Sequence, residues 1–398
     1  MTRSLATLLL LGFVGRTAWA ADPPPPAKGV LRVATYNVAL YRGRSGQLAG
    51  ELRSGNSQQA KQLAEVIQRV RPDVLLLCEI DYAPQDDPPR LFAELYAAKP
   101  QAEGLTGIDY PHRFAAPVNT GEPSGLDLDR DGQTDGPADA WGYGRYPGQY
   151  GMAVLSRWPI NEAATRTFQQ LRWAALPDAN QPHDPATDEP YYPAEVWEQL
   201  RLPSKSFWDV VAMTPVGPLH LLCSHPTPPV FDGPEDRNGC RNADEVRLLT
   251  EYAAGRLSDY FIDDQGRSGV IAADEPLVVL GDLNADPNDG DGLREAINDL
   301  IAGPRMATDP KPTSAGAVAA SERLADLNAD HTGDAANDTG DFGPDGHGNL
   351  RIDYALPSED LRVVGSGVYW PKPGEEGAEA AAASDHRMVW VDVATAER

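Results

Sequence analysis

The chain has 398 residues, long enough for one large domain or two small ones, and at 41% hydrophobic residues it can bury a substantial core. Its 59 acidic side chains against 34 Lys and Arg give a formal charge of -25 at pH 7, a field that repels polyanions at long range and weighs against an electrostatic nucleic-acid binder. Three cysteines are an odd number and cannot close a disulfide framework.

Residues 1–20 carry Arg3, the apolar stretch LATLLLLGFV and the small-residue pattern Ala18-Trp19-Ala20, the layout of a secretory signal peptide. The apolar run is too short to cross a bilayer, and no later segment approaches the ~20 apolar residues that a membrane helix needs. No cysteine follows the expected cleavage point, so the expectation is export without a lipid anchor, to the periplasm or the medium. Residues 21–29, ADPPPPAKG, read as a proline-rich lead-in, because consecutive prolines fix φ and cannot join a sheet. Residues 30–398 are expected to form a single domain, and the protein a monomer.

The run LRVATYNVAL (31–40) reads as a strand. From Gln58 to Val70 the apolar positions Ala60, Leu63, Ala64, Ile67 and Val70 recur at helical spacing, with Ser57 as N-cap and Pro72 enforcing the stop. PDVLLLCEI is a second buried strand ending on Glu79, and GQYGMAVLSRWPI a third. The grammar then returns: Leu219–His225 is a strand, NADEVRLLTEYAAGRLSDYF places Val246, Leu249, Tyr252, Ala253 and Leu257 on one helical face, and PLVVLGDLN closes the unit. NLRIDYALPS, LRVVGSGVYW and SDHRMVWVDV supply three further strands. Cys78 and Cys223 lie inside apolar runs as small core residues, and a Cys223–Cys240 bridge stays open. Two strand–helix–strand halves predict an α/β fold with two sheets packed face to face and helices outside. Three segments, 81–149, 161–208 and 301–348, are rich in Gly, Pro, Asp and Asn and are expected as long loops.

Polar residues end or interrupt the apolar strands: Asn37, Glu79, His225, Asp282, Asn284, Asp353, Asp385 and His386. Burying one of them unpartnered costs several kcal/mol, so each is paired, metal-bound or solvent-facing. Their segments TYNV, LLLCEI, LLCSHP, VLGDLNADP, RIDYAL and SDHRMVW, with GMAVLSR between them, resemble the ordered motif set of the endonuclease/exonuclease/phosphatase superfamily, the DNase I-like fold. The resemblance implies a four-layered α/β sandwich and metal-dependent hydrolysis of phosphoester bonds. By the same resemblance Asn37, Glu79 and Asp385 are the ligands of a Mg²⁺ or Mn²⁺ ion, which favours hard oxygen donors. Asp282 orients and deprotonates the attacking water. Asn284 hydrogen-bonds the phosphate, Asp353 holds His386 cationic, and His225 is the second histidine of the two-histidine members. The substrate stays open between nucleic acid, a phospholipid headgroup and a small phosphoester.

Arg145, Arg237, Arg241 and Arg247 flank these strands as candidate grips on a substrate phosphate, although Arg247 is also placed to pair with Glu251 along its helix. In GLDLDRDGQTD, Asp127, Asp129 and Asp131 followed by Gly132 reproduce the first half of a Ca²⁺ loop, but its twelfth position is Ala138 where a glutamate is expected. A structural Ca²⁺ and a solvated Asp/Gly turn both fit, and DLNADHTGD has a weaker version of the spacing. Those acidic loops support the rival reading, a Ca²⁺-stabilised binding module that keeps the fold without the reaction.

Overall fold

A computed structural model describes residues 22–344 and 346–396; the expected signal peptide lies outside the described residues. The first half contributes strands β1 (Leu31–Leu40), β2 (Val74–Ile80), β3 (His112–Phe114) and β4 (Met152–Ser156). The second contributes β5 (Arg166–Thr167), β6 (Phe207–Thr214), β7 (Gly217–Ser224) and β8 (Leu277–Asp282). A short hairpin follows, β9 (Gly340–Asp341) and β10 (Asn349–Leu350), and then β11 (Asp353–Pro357), β12 (Leu361–Tyr369) and β13 (Met388–Thr395). One sheet has six strands in the order β12-β13-β1-β2-β4-β3, and the other five in the order β11-β8-β7-β6-β5. Each sheet holds one parallel pair at its heart, β1 with β2 and β7 with β8.

Side chains alternate across a strand, and here both sets are apolar. In β2, Val74, Leu76 and Cys78 enter the core between the sheets with Val210, Leu221, Val278 and Leu280. Leu75 and Leu77 face the other way, onto Leu63, Ile67 and Val70 of the helix Gln58–Val70. The second sheet does the same with Leu222 and Val279 against Val246, Leu249 and Tyr252 of the helix Arg237–Ala253. The result is helix, sheet, sheet, helix, the four-layered α/β sandwich. Truncating one of these fully buried leucines to alanine removes about 2–5 kcal/mol. The helix Gln58–Val70 starts where the sequence predicts, with the Ser57 side chain accepting from the Ala60 N–H, and stops at Arg71 in a left-handed turn (φ 56°).

The segments expected as loops carry more order than that. Residues 81–149 contain the helix Pro88–Phe92, which runs on into a wider turn to Ala97, and β3; residues 301–348 contain the helix Ala315–Arg323. The loop boundary at 208 falls inside β6, a strand that Asp209 disguises by standing in the middle of an apolar run. Asp209 is buried and satisfied: its carboxylate meets His220 Nδ1 at 2.7 Å and accepts from the Tyr252 hydroxyl at 2.8 Å. All three cysteines are free thiols. Among the described residues no helix is long and apolar enough to cross a membrane.

Candidate active site

The two parallel strand pairs end side by side, and their carboxyl ends carry the chemistry. At the end of β8, Gly281 is required by a close approach: a Cβ there would lie 1.9 Å from the Ser224 carbonyl oxygen of β7. The chain then leaves the sheet with Asn284 at φ 50°, while Glu79, next to last in β2, stands at φ 60°. Left-handed backbone at residues other than glycine costs of order 1–3 kcal/mol and gathers at functional sites.

Asp282 is the hub. Its Oδ2 accepts from the Asn37 side-chain amide at 3.0 Å, and it stands 3.3 Å from His225 Nε2 and 3.7 Å from His386 Nε2. Its Oδ1 accepts from the Asn284 backbone N–H at 3.0 Å. Asp353 faces Asp282 across the β8–β11 ladder, and its Oδ2 meets His386 Nδ1 at 2.9 Å. His386 is thus clamped between two carboxylates. Asn37 is tied into the same assembly, because the Ser384 hydroxyl donates to its carbonyl at 2.8 Å and accepts from the His386 N–H at 3.1 Å. Of the expected ligands, Glu79 lies 4.0 Å from His225 Nε2 with its side chain 22% exposed, and Asp385 is exposed next to His386.

The electrostatics separate the roles. Burial drives the His386 pKa down, but Asp353 and Asp282 outweigh it and raise it well above the ordinary value, which favours the charged ring. Burial raises the Asp282 carboxyl, yet His386, His225 and the Asn37 amide overcome that and hold it below the usual carboxylate range. His225 goes the other way: burial, with Lys205 adding to it, lowers it to about 4, which favours a neutral ring, and its Nδ1 has no hydrogen-bond partner among the described residues. Burial pushes Glu79 up to about 7, opposed by His386 and reinforced by Asp282 and Asp385. Glu79 makes no hydrogen bond among the described residues, and a nearby cation would favour its ionised form. With Asn37, whose Oδ1 accepts one bond from the Ala39 N–H at 3.1 Å, and Asp385, it offers hard oxygens that fit a divalent ion.

Three residues that the motifs do not mark hold this constellation. The Thr339 hydroxyl donates to Asp353 Oδ2 at 2.8 Å and accepts the Ile352 and Asp353 N–H groups at 3.1 and 3.0 Å. From the helix Arg237–Ala253, buried Asn242 donates to the carbonyls of Thr227 and Leu283 at 2.8 and 2.9 Å. Buried Glu245 accepts from Ser204 N–H and Thr227 N–H at 2.6 and 2.7 Å. A signal for Asn242 did exist, since it stands four residues before Val246 on the helix's buried face.

The arginines divide. Arg241 gives its guanidinium to the carbonyls of Leu202, Trp141 and Arg201. Arg237 pairs with Glu235 and lies over the Tyr191 ring, and Arg247 reaches the Asp178 carbonyl and Glu251. Those three are occupied inside the protein because carbonyls and carboxylates lie within their reach. Arg145 is exposed, and its charge is felt at Tyr150 beside Glu79. In the acidic loop, oxygens of Asp127, Asp129 and Asp139 lie within 4.8 Å of one another. Asp131 is not among them; its Oδ1 accepts the Gln133 N–H. The closing carboxylate is Asp139, one position past the expected twelfth.

A family model described as the endonuclease/exonuclease/phosphatase family matches residues 34–386. Among solved structures, an endonuclease/exonuclease/phosphatase from Beutenbergia cavernae DSM 12333 is 19% identical, is aligned over 92% of this chain and 72% of its own, and has a TM-score of 0.50. Family proteins from Bacteroides thetaiotaomicron and Leptotrichia buccalis C-1013-b are 13% and 14% identical, cover 94% and 91% of this chain and 99% of their own, and score 0.48 and 0.46. At such identities the first of these likenesses establishes the fold alone. No curated protein sequence matches the chain.

Proposed function

The chain belongs to the endonuclease/exonuclease/phosphatase family, and from that premise we propose that it is an exported, divalent-metal-dependent phosphoesterase that cleaves phosphodiester or phosphomonoester bonds with a water activated at Asp282. Family members are mainly hydrolases of phosphoester bonds and typically depend on a divalent metal. The observation that carries the reading is the convergence of Asn37, His225 and His386 on Asp282 Oδ2.

Each side chain then has a task. Asp282, kept ionised and fixed by its neighbours, accepts a hydrogen bond from the attacking water and takes its proton. Asn284 spends one amide N–H on the Pro226 carbonyl, at 3.1 Å, and keeps the other for a non-bridging oxygen. His386, charged and steadied by Asp353, donates to the phosphoryl group. His225, being neutral, contributes a hydrogen bond and no charge. Glu79, Asn37 and Asp385 would hold Mg²⁺ or Mn²⁺, which when bound supplies polarisation of the phosphoryl oxygen and offsets charge on the leaving oxygen.

The second reading, a Ca²⁺-stabilised binding module, draws on the Asp127, Asp129 and Asp139 cluster, where Asp127 Oδ1 is buried without a hydrogen-bond partner among the described residues. One experiment separates the two. The mature chain is given Mg²⁺, Mn²⁺ or Ca²⁺ and offered bis(p-nitrophenyl) phosphate, p-nitrophenyl phosphate, DNA and sphingomyelin. Turnover is expected in the wild type, and Asp282→Asn is expected to lose roughly 10²–10⁴ of it at an unchanged melting temperature. Absence of turnover on every substrate, with Ca²⁺ raising the melting temperature, would replace the enzyme by the module.

A further inference from the structure

Lys205 stands two residues before β6 and is 7% exposed. A lysine is almost never this buried without a partner, yet among the described residues no carboxylate oxygen lies within ion-pair distance of its Nζ. Its one hydrogen bond among the described residues is a long one, 3.4 Å, to the Pro226 carbonyl. The neighbouring Glu245 is already engaged: Oε1 takes the Ser204 N–H and hydroxyl, and Oε2 takes the Thr227 N–H. An ammonium has three donors, so at least two of those on Lys205 have no acceptor among the described residues.

Where they point follows from what surrounds them. The Pro226 carbonyl that Lys205 touches is the same oxygen that Asn284 Nδ2 touches at 3.1 Å, so the ammonium and the Asn284 amide bracket one atom. Burial lowers the Lys205 pKa from the ordinary lysine value, and the charges that oppose this and favour the ammonium are Glu245, Glu79 and Asp282; Lys205 in turn acts on His225. Arg237, Arg241 and Arg247 are spent elsewhere. Lys205 is therefore a buried amine with idle donors, set against the same carbonyl as Asn284 and within the field of Glu79 and Asp282, and Glu245 and Asn242 brace the two chain segments that carry it and its carbonyl partner.

We propose that Lys205 is a further catalytic residue, whose ammonium takes a non-bridging oxygen of the reacting phosphoryl group next to Asn284, with Glu245 and Asn242 as positioning residues. The role rests on the phosphoesterase reading above and adds a contact that the motif set does not contain. An ammonium already dehydrated by the fold meets developing negative charge without reorganisation, which makes one such donor worth a large factor in rate.

Lys205→Met keeps the length of the side chain and removes the charge. For the metal-loaded enzyme, kcat/KM on the best substrate of the panel is expected to fall roughly 100-fold, mainly in kcat. The affinity for inorganic phosphate, measured by calorimetry, is expected to fall roughly tenfold or more. The melting temperature should hold or rise, because an unpaired buried charge has gone. Wild-type values for both rate and phosphate affinity in a folded variant would overturn the role while the enzymatic reading stands. A wild type that hydrolyses nothing but binds phosphate through Lys205 would remove the enzymatic reading and keep the contact; one that neither hydrolyses nor binds phosphate would remove both. If Lys205→Met does not fold, reductive methylation of the wild type, read by mass spectrometry of the Lys205 peptide, decides: protection by inorganic phosphate supports the contact, and no phosphate-dependent difference overturns it.

Discussion

Gly281 shows how much can rest on one missing methyl group. The Ser224 carbonyl occupies the place that a Cβ would take, at 1.9 Å, so β7 and β8 come together only because residue 281 has no side chain, and Asp282 inherits its position from that approach. Gly281→Ala must push the two strands apart. The expected outcome is a loss of about 1–3 kcal/mol of stability and a fall in turnover of tenfold or more by analogy with other small displacements of catalytic groups, read from denaturant midpoints and initial rates. Asp282→Asn is the contrast, since it is expected to lose activity at full stability. A Gly281→Ala protein with wild-type midpoint and rate would mean that the strands have slack here, and that the placement of Asp282 has another source.

At the scale of elements, β6 and β7 are joined by a buried polar pair whose stability depends on pH. Burial pulls the His220 pKa down, but the Asp209 hydrogen bond and charge, with Glu275 beyond, raise it above its ordinary value of 6.5. A histidine with a raised folded-state pKa contributes stability that is present in full below the unfolded value and is lost as pH rises through the folded value. The denaturant midpoint of the wild type is therefore expected to fall relative to that of His220→Gln from pH 6.5 upward, the difference levelling off once the ring is neutral. A wild-type minus variant difference that is constant from pH 6 to 9 would show that the pair carries no such linkage. The same strand shows what was legible in the sequence. Strand-end residues such as Glu79 and Asp282 stand out because a carboxylate closing an apolar run has no cheap structural explanation. Asp209, inside its run, hid β6, and with β6 unseen Lys205 looked like part of a loop. Asn242 and Glu245 stand four residues before Val246 and Leu249 on the helix's buried face, but polar residues are ordinary on a helix and that spacing alone does not set them apart. Asp139, whose oxygens lie near Asp127 and Asp129 and accept the Leu128 and Gly136 N–H groups, stands one position past the twelve that the loop pattern covers.

The whole molecule carries a charge that no local pairing cancels. Ion pairs such as Arg32–Asp392, buried at 2.7 Å, hold particular segments, but the formal sum stays at -25, and a field of that sign reaches as far as the solvent allows. The Debye length is about 30 Å at 0.01 M salt and about 10 Å at 0.1 M. At the lower value a polyanionic substrate meets repulsion well before it reaches Asp282; at the higher value it meets little. If the substrate is nucleic acid, kcat/KM is expected to rise as salt goes from 0.01 to 0.1 M at fixed, saturating metal, the reverse of the loss shown by proteins that bind DNA through a basic track. A zwitterionic headgroup ester, having no net charge to repel, is expected to be nearly indifferent over the same range. Measuring both substrates with one preparation separates the field from any effect of salt on metal or fold. A steep decline of the DNA rate with salt would show a local cationic path outweighing the global field, with Arg145 the first residue to test for it; the rise is what the charge distribution demands.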